Sequence, residues 1–179
     1  EKKDLADKAD ESLTAGEELA SINIRKCSDF QITGDGSAGA WENTSWIDLE
    51  QQGPEFAPYK SKVKALYSET GIYFLFDCED KKLTSTMKGD NMNIYLEDVV
   101  EVFLWTEESF PVYFEYELSP LNYELTIMVP NFKGNFFGWL PWHYEGDRKT
   151  KHETSVTGGK KAGLEAVTGW KAEFFIPYK

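Results

Sequence analysis

Cysteine, histidine and positive charge are all scarce in this chain of 179 residues. Its two cysteines, Cys27 and Cys78, form no CxxC and have no metal-type spacing to a histidine. This excludes a zinc ribbon or a small disulfide scaffold. Cys78 ends an aromatic run, where a buried free thiol is the expected state, with one disulfide to Cys27 the alternative outside the cytoplasm. The two histidines, His143 and His152, stand in no GxSxG or GxCxG setting, so a hydrolytic triad is not expected. Lysine and arginine total 19 against 31 acids, so 19 − 31 = −12. That deficit argues against a phosphate-backbone binder, hence no nucleic acid partner, and against an anionic membrane surface. No apolar run approaches the ~18 residues of a transmembrane helix. The GxG at Gly34–Gly36 lacks a following helix, and there is no EF-hand loop.

Aromatic residues are abundant instead: 6 Trp, 9 Tyr and 12 Phe, 27 in all. An acidic chain with this load is not disordered, because disorder goes with few aromatics and low hydrophobicity. At this length a single domain with its own core is expected. Residues 1–21 differ from the rest. They carry seven acids, three lysines and no aromatic, and read as a flexible or partly helical acidic tether. The folded unit is expected over 22–179.

From there the hydrophobic period is two. Val63, Ala65 and Tyr67 alternate with Lys62, Lys64 and Leu66, and the run 72–80 follows as a central strand. Val100, Val102 and Leu104 share one face of the next strand, with Glu101, Phe103 and Trp105 on the other. In 112–118, Val112, Phe114, Tyr116 and Leu118 are expected to face in, and Tyr113, Glu115 and Glu117 out. Residues 123–129 and 170–176 alternate likewise. At least six short strands between turn signals predict an all-β, two-sheet sandwich. Two long loops are expected, 81–96 and 130–163, and loops of that length on a rigid sandwich are natural binding sites.

Six aromatics fall within 132–144: Phe132, Phe136, Phe137, Trp139, Trp142 and Tyr144. Flat aromatic faces stack on the C–H face of a sugar ring, and carboxylates accept its hydroxyl protons. Trp139 and Trp142 therefore either bind sugar or cap the open end of the sandwich. Glu97, Asp98 and Glu101 cluster on one strand and Glu115 and Glu117 on another, with Glu97 and Glu101 expected on the same face. A buried carboxylate there could act as a general acid. An acidic sheet face, a metal ligand set or a hydrogen-bond acceptor for a ligand are the plainer alternatives.

Five segments in order resemble family 9 carbohydrate-binding modules. ITGDGSAGAW (32–41) is similar to the family's opening I-D-G-x-x-D-x-x-W. VKALYSETGIYFLFDCED (63–80) is similar to its strand pair. NIYLEDVVEVFL (93–104) resembles W-x-x-D-x-V-E-x-F-l, YFEYEL with NYEL continues the match, and GWKAEFFIPYK (169–179) resembles G-W-x-v-E-x-x-I-P-w-x. The resemblance implies a jelly-roll-like sandwich, sugar binding, calcium in some members, and attachment to xylanases or other secreted polysaccharide enzymes. It implies a sugar clamp at Trp41 and Tyr95, with polar contacts at Asp80, Glu101 and Glu115, the last standing where some members have Arg. The family's polar strands beyond Ile-Pro have no counterpart before Lys179. An extracellular, periplasmic or cell-surface placement is implied, with a lipid or signal-derived anchor upstream.

Three other functions stay open at this point. One is a glycoside hydrolase of endo-xylanase type with Glu101 as acid. Another is a haem-binding sandwich using Met87 or Met92 with His143. The last is a structural or interaction domain with a degenerate sugar site.

Overall fold

The computed structural model describes residues 21–50, 59–132, 134–142 and 145–178. The expected tether falls almost wholly outside these. Among the described residues, eleven strands form two sheets. They are β1 (Arg25–Lys26), β2 (Ile47–Leu49), β3 (Ser61–Tyr67), β4 (Gly71–Glu79), β5 (Val100–Leu104), β6 (Val112–Leu118), β7 (Glu124–Phe132), β8 (Asn135–Phe136), β9 (Leu140–Pro141), β10 (Lys151–Thr157) and β11 (Gly169–Pro177). One sheet runs β1-β3-β4-β11-β10, with β2 also on β3. The other runs β5-β6-β7-β8, with β9 also on β7. Only β1 and β3 pair in parallel. The protein is the expected two-sheet β-sandwich.

The main core lies between the sheets. Phe76, Trp170, Ala172 and Phe174 from the larger sheet meet Val100, Val102, Tyr116 and Leu118 from the smaller. Phe174 stacks on Phe76 at 5.9 Å between ring centroids and meets Tyr116 at 4.9 Å. The inward alternation expected for Tyr116 and Leu118 is as read.

Both sheets also have a covered outer face, which explains the near-continuous apolar runs of β4 and β11. On the larger sheet, Leu66, Tyr73, Leu75 and Phe175 lie beneath Trp41, Phe30 and Trp46. On the smaller sheet, Leu125, Ile127 and Val129 lie beneath Ile94, Met87 and Trp139. Glu115 and Glu117 do point away from the main core, as their alternation requires. They do not face open water, however: Glu117 is 1% exposed.

The expected long loop 130–163 is a different structure. Strand β7 continues through Phe132, and Lys151–Thr157 is strand β10. β10 pairs along its whole length with β11 and is the edge of its sheet. Edge strands carry charge outward, and this polar alternation resembles a loop in sequence. Residues 81–96 remain mostly irregular, apart from a one-residue bridge at Lys82 and a 3₁₀ turn at Ile94–Leu96. Both cysteines are free, and burial pushes the Cys78 thiol up to about 11.

Candidate functional site

The outer face of the smaller sheet gathers the chemistry. Glu101 on β5 stands directly opposite Glu117 on β6, and Glu115 is two residues before Glu117 on the same face. One oxygen from each of the three carboxylates lies within 4.8 Å of the other two. Neither oxygen of Glu117 has a hydrogen-bond partner.

Burial raises all three carboxyl groups above their ordinary values. Desolvation alone raises Glu101. Desolvation, then the charge of Glu101, pushes Glu115 up to about 7. Desolvation, then the charges of Glu101 and Glu115, pushes Glu117 up to about 8. The Tyr95 backbone N–H opposes this last shift without reaching hydrogen-bonding geometry to Glu117.

Aromatic rings stand on the same face. Tyr95, in the 3₁₀ turn Ile94–Leu96, meets Trp139 edge-on at 6.4 Å. Ile94 packs on Leu125, Ile127 and Val129, and so does the half-buried Trp139. Further along the face, Phe103 and Tyr113 lie 5.9 Å apart. They line a groove of about 670 Å³ with Trp105, Val112 and Asn131.

The loop 81–96 is tied in place by acids. Glu97 accepts from the Thr86 backbone N–H at 2.6 Å, the Thr86 hydroxyl and the Met87 N–H at 3.1 Å. Desolvation pushes the Glu97 carboxyl up, but these bonds outweigh it and hold the group below its ordinary value. Glu97 lies before β5 and holds this loop, so it does not share a strand face with Glu101 as expected. Asp90 accepts from the Glu124 N–H at 3.1 Å, and the Asn91 N–H donates to the Glu124 carbonyl at 2.8 Å. These bonds fix the turn that carries Tyr95.

Of the expected site residues, Tyr95, Glu101, Glu115 and Trp139 come together. Trp41, Asp80 and Trp142 do not. Trp41 is 2% exposed, on the outer face of the other sheet. Its indole N–H donates to Glu173 Oε1 at 2.7 Å, and Phe30 packs edge-on to it at 5.5 Å. It has no ring face free for a sugar, which corrects its expected role in the clamp.

The Gly34–Gly36 turn wraps the other oxygen of the same carboxylate. The N–H groups of Thr33, Gly34 and Gly36 donate to Glu173 Oε2 at 2.9, 2.6 and 3.4 Å. The anion held by this glycine turn is therefore the protein's own. Gly34 has φ +81°, and a Cβ there would lie 2.7 Å from Glu153 Cβ.

Asp80 lies at the end of β4, facing Asp98. Its Oδ1 accepts from the Lys82 N–H at 3.1 Å, and its Oδ2 is buried without a partner. Trp142 packs edge-on to Phe114 at 5.5 Å, and Phe114 belongs to the inward-facing set of β6. Trp142 thus borders a groove with Leu104, Glu115, Ile176 and Tyr178, and stands on the Phe114 side of β6, not with Tyr95 and Trp139. His143, expected as one haem ligand, lies outside the described residues. Glu117 was expected beside Glu115 in an acidic strand but not among the sugar contacts. Its only signal in sequence is its two-residue spacing from Glu115, and the cross-strand register that brings it to Glu101 is not legible there.

A covered sandwich with aromatic rings and carboxylates on one sheet face belongs to the class of β-sandwich carbohydrate-binding modules. The model of the family described as carbohydrate family 9 binding domain-like matches residues 32–128, more than half of the chain, and the chain belongs to that family. No curated protein matches it.

Solved structures share the fold. A candidate carbohydrate-binding protein of Bacteroides uniformis ATCC 8492 superposes with a TM-score of 0.70 at 14% identity, over 88% of this chain and 72% of that one. A family 9 carbohydrate-binding module of Caldicellulosiruptor kristjanssonii in complex with cellotriose gives 0.58 at 18% identity, over 86% and 66%. A family 9 module of the same organism in complex with glucose gives 0.52 at 18%, over 87% and 69%. No described helix is long and apolar enough to cross a membrane.

Proposed function

We propose that this non-catalytic carbohydrate-binding module takes its ligand on the outer face of the smaller sheet. A sugar ring stacks on Tyr95 and Trp139 while its hydroxyls reach Glu101 and Glu115. The observation that carries this reading is the convergence of the Tyr95–Trp139 pair with the three glutamates on one face. Tyr95 is 40% exposed, so its ring can be reached. The adjoining groove beside Phe103 and Tyr113 has room for further sugar units. The ligands of the related structures make short β-glucans the first probe. The module is proposed to act outside the cytoplasm, within a protein that handles polysaccharides such as xylan.

Hydrolysis is the weaker reading. A glycosidase holds its two carboxyl groups roughly 5–9.5 Å apart, on either side of the bond it breaks. Here the carboxylates converge on one another instead.

The test is titration of intrinsic Trp fluorescence with cello- and xylo-oligosaccharides. Tyr95→Ala and Trp139→Ala should each weaken binding ~10-fold or more, the loss of one stacking contact. Trp142→Ala should leave it unchanged. Absence of binding across a broad glycan panel, or indifference to both substitutions, would overturn the proposal.

A further inference from the structure

The three glutamates form an electrostatic arrangement that the protein alone leaves unbalanced. They bring up to three negative charges together, yet every ion pair among the described residues lies elsewhere. The influences on their ionisation among the described residues are burial, one another's charge and, for Glu117, the opposing Tyr95 backbone N–H, with no neighbouring cation among them. Glu117 is 1% exposed, and neither of its oxygens has a hydrogen-bond partner. Buried carboxylates are normally hydrogen-bonded, paired or bound to metal, because leaving one bare in a low dielectric is costly. Asp98, Glu173 and Asp80, other half-buried or buried acids described above, each have a backbone donor to at least one oxygen, whereas Glu117 has none to either. Among the described residues, no other set of three His, Cys, Asp or Glu side chains converges this closely.

The donor chemistry names the missing partner. All the ligand atoms are carboxylate oxygens, which suit hard cations and not zinc or copper. Their mutual spacing, within 4.8 Å, is what oxygens around one ion at about 2.4 Å allow. Three carboxylates, each mono- or bidentate, supply three to six of the roughly 6–8 oxygens that calcium takes. Glu101 and Glu115 are only partly covered, so an ion can enter from the outer face and reach Glu117 beneath. A lone ammonium would offset one charge of three, whereas a divalent ion offsets two.

We propose that Glu101, Glu115 and Glu117 form a calcium-binding site on the outer face of the smaller sheet. The ion keeps open positions for water or for sugar hydroxyls. That second role rests on the carbohydrate reading above, because it converts an acceptor-only cluster into one that also takes hydroxyl lone pairs. The ion site itself does not depend on sugar.

The test therefore uses metal alone. Terbium, a calcium substitute whose emission is sensitised by nearby aromatic rings, is titrated into the full chain with Trp excitation. Saturable emission is expected, because Trp139 and Tyr95 stand on the same face, and calcium chloride should displace it. Glu117→Gln should weaken terbium binding ~10-fold or more, since charge count sets affinity at such sites. Glu101→Gln should do likewise in a second, more exposed position. Asp98→Asn, at the other acid pair, should leave it intact, as should the acids of 1–21 present in every variant. Calcium alone should raise the melting temperature of the wild type and not that of Glu117→Gln.

Absence of sensitised emission, or emission unaltered in both glutamine variants, would overturn the site. If terbium fails while oligosaccharides still bind, the cation inference alone falls. If terbium binds and no sugar does, the carbohydrate reading falls and the ion site stands.

Discussion

Glu101 and Glu117 face each other across the β5–β6 ladder, two acids at one cross-strand position. Like charges directly opposite are destabilising in a sheet, and here one partner is buried without a hydrogen bond. The metal-free protein should therefore gain stability from Glu117→Gln, by about 1–3 kcal/mol, because the amide removes both the repulsion and the desolvated charge. Urea denaturation at pH 8 in the presence of a chelator measures it. A less stable variant would mean that Glu117 has a partner in solution that the structure does not contain.

The Asp80–Asp98 pair makes stability depend on pH. Desolvation, opposed by the Thr84 backbone N–H and reinforced by Asp80 and then Glu97, pushes Asp98 up to about 7. The folded state thus holds a proton that the unfolded chain, near its ordinary value of 3.8, has already released. Its stabilising effect is full below about pH 4 and is lost as the pH rises to about 7. Asp98→Asn should remove this decline, leaving the variant more stable than the wild type at pH 8 and little different at pH 4. His152 works in the opposite direction: burial lowers it, outweighing the pull of Glu124 and Asp90. The difference between wild type and Asp98→Asn cancels that contribution. Denaturation midpoints across pH 4–8 should diverge steadily, and parallel curves would count against the shift.

Trp41 serves the fold through Glu173. Trp41→Phe should leave Glu173 Oε1 buried without its indole donor, at a cost of about 1–3 kcal/mol. Glu173→Ala should cost more, since it also strips the acceptor from the N–H groups of Thr33, Gly34 and Gly36. Neither change should alter oligosaccharide affinity in molecules that remain folded. A selective loss of sugar binding in Trp41→Phe would return this residue to the binding site.

Glu97 is expected to affect binding without touching ligand. Glu97→Ala removes the three hydrogen bonds that hold Thr86 and Met87. The segment carrying Tyr95 should loosen, with stability falling by about 1–3 kcal/mol. Hydrogen exchange at the Thr86 and Met87 amides should quicken, and sugar affinity should fall in step. Unchanged exchange there would show that other contacts anchor the segment.

Some of this was legible in the chain. The period-two pattern of 63–67, 72–80, 112–118 and 170–176 identified four principal strands, because a half-buried pleated surface demands that alternation. The ordered segments from Ile32 to Lys179 carried the family. Strand β10 was not legible: an edge strand needs few apolar residues, and KHETSVT has only one.

The site divides along the same line. Side-chain type and strand parity depend only on neighbours in the chain, so the sequence by itself determined the β-sandwich, and its resemblance to family 9 modules put Glu101, Glu115 and Tyr95 among the candidates. Cross-strand register and the covering of a sheet face depend on residues far apart in the chain. Only the tertiary structure could set Glu117 against Glu101 and fold 81–96 over their face. The same long-range packing buried Trp41 against Glu173, a contact spanning 132 positions. A tryptophan reads alike in sequence whether it stacks on a sugar or closes a core, and what differs is the chain packed around it.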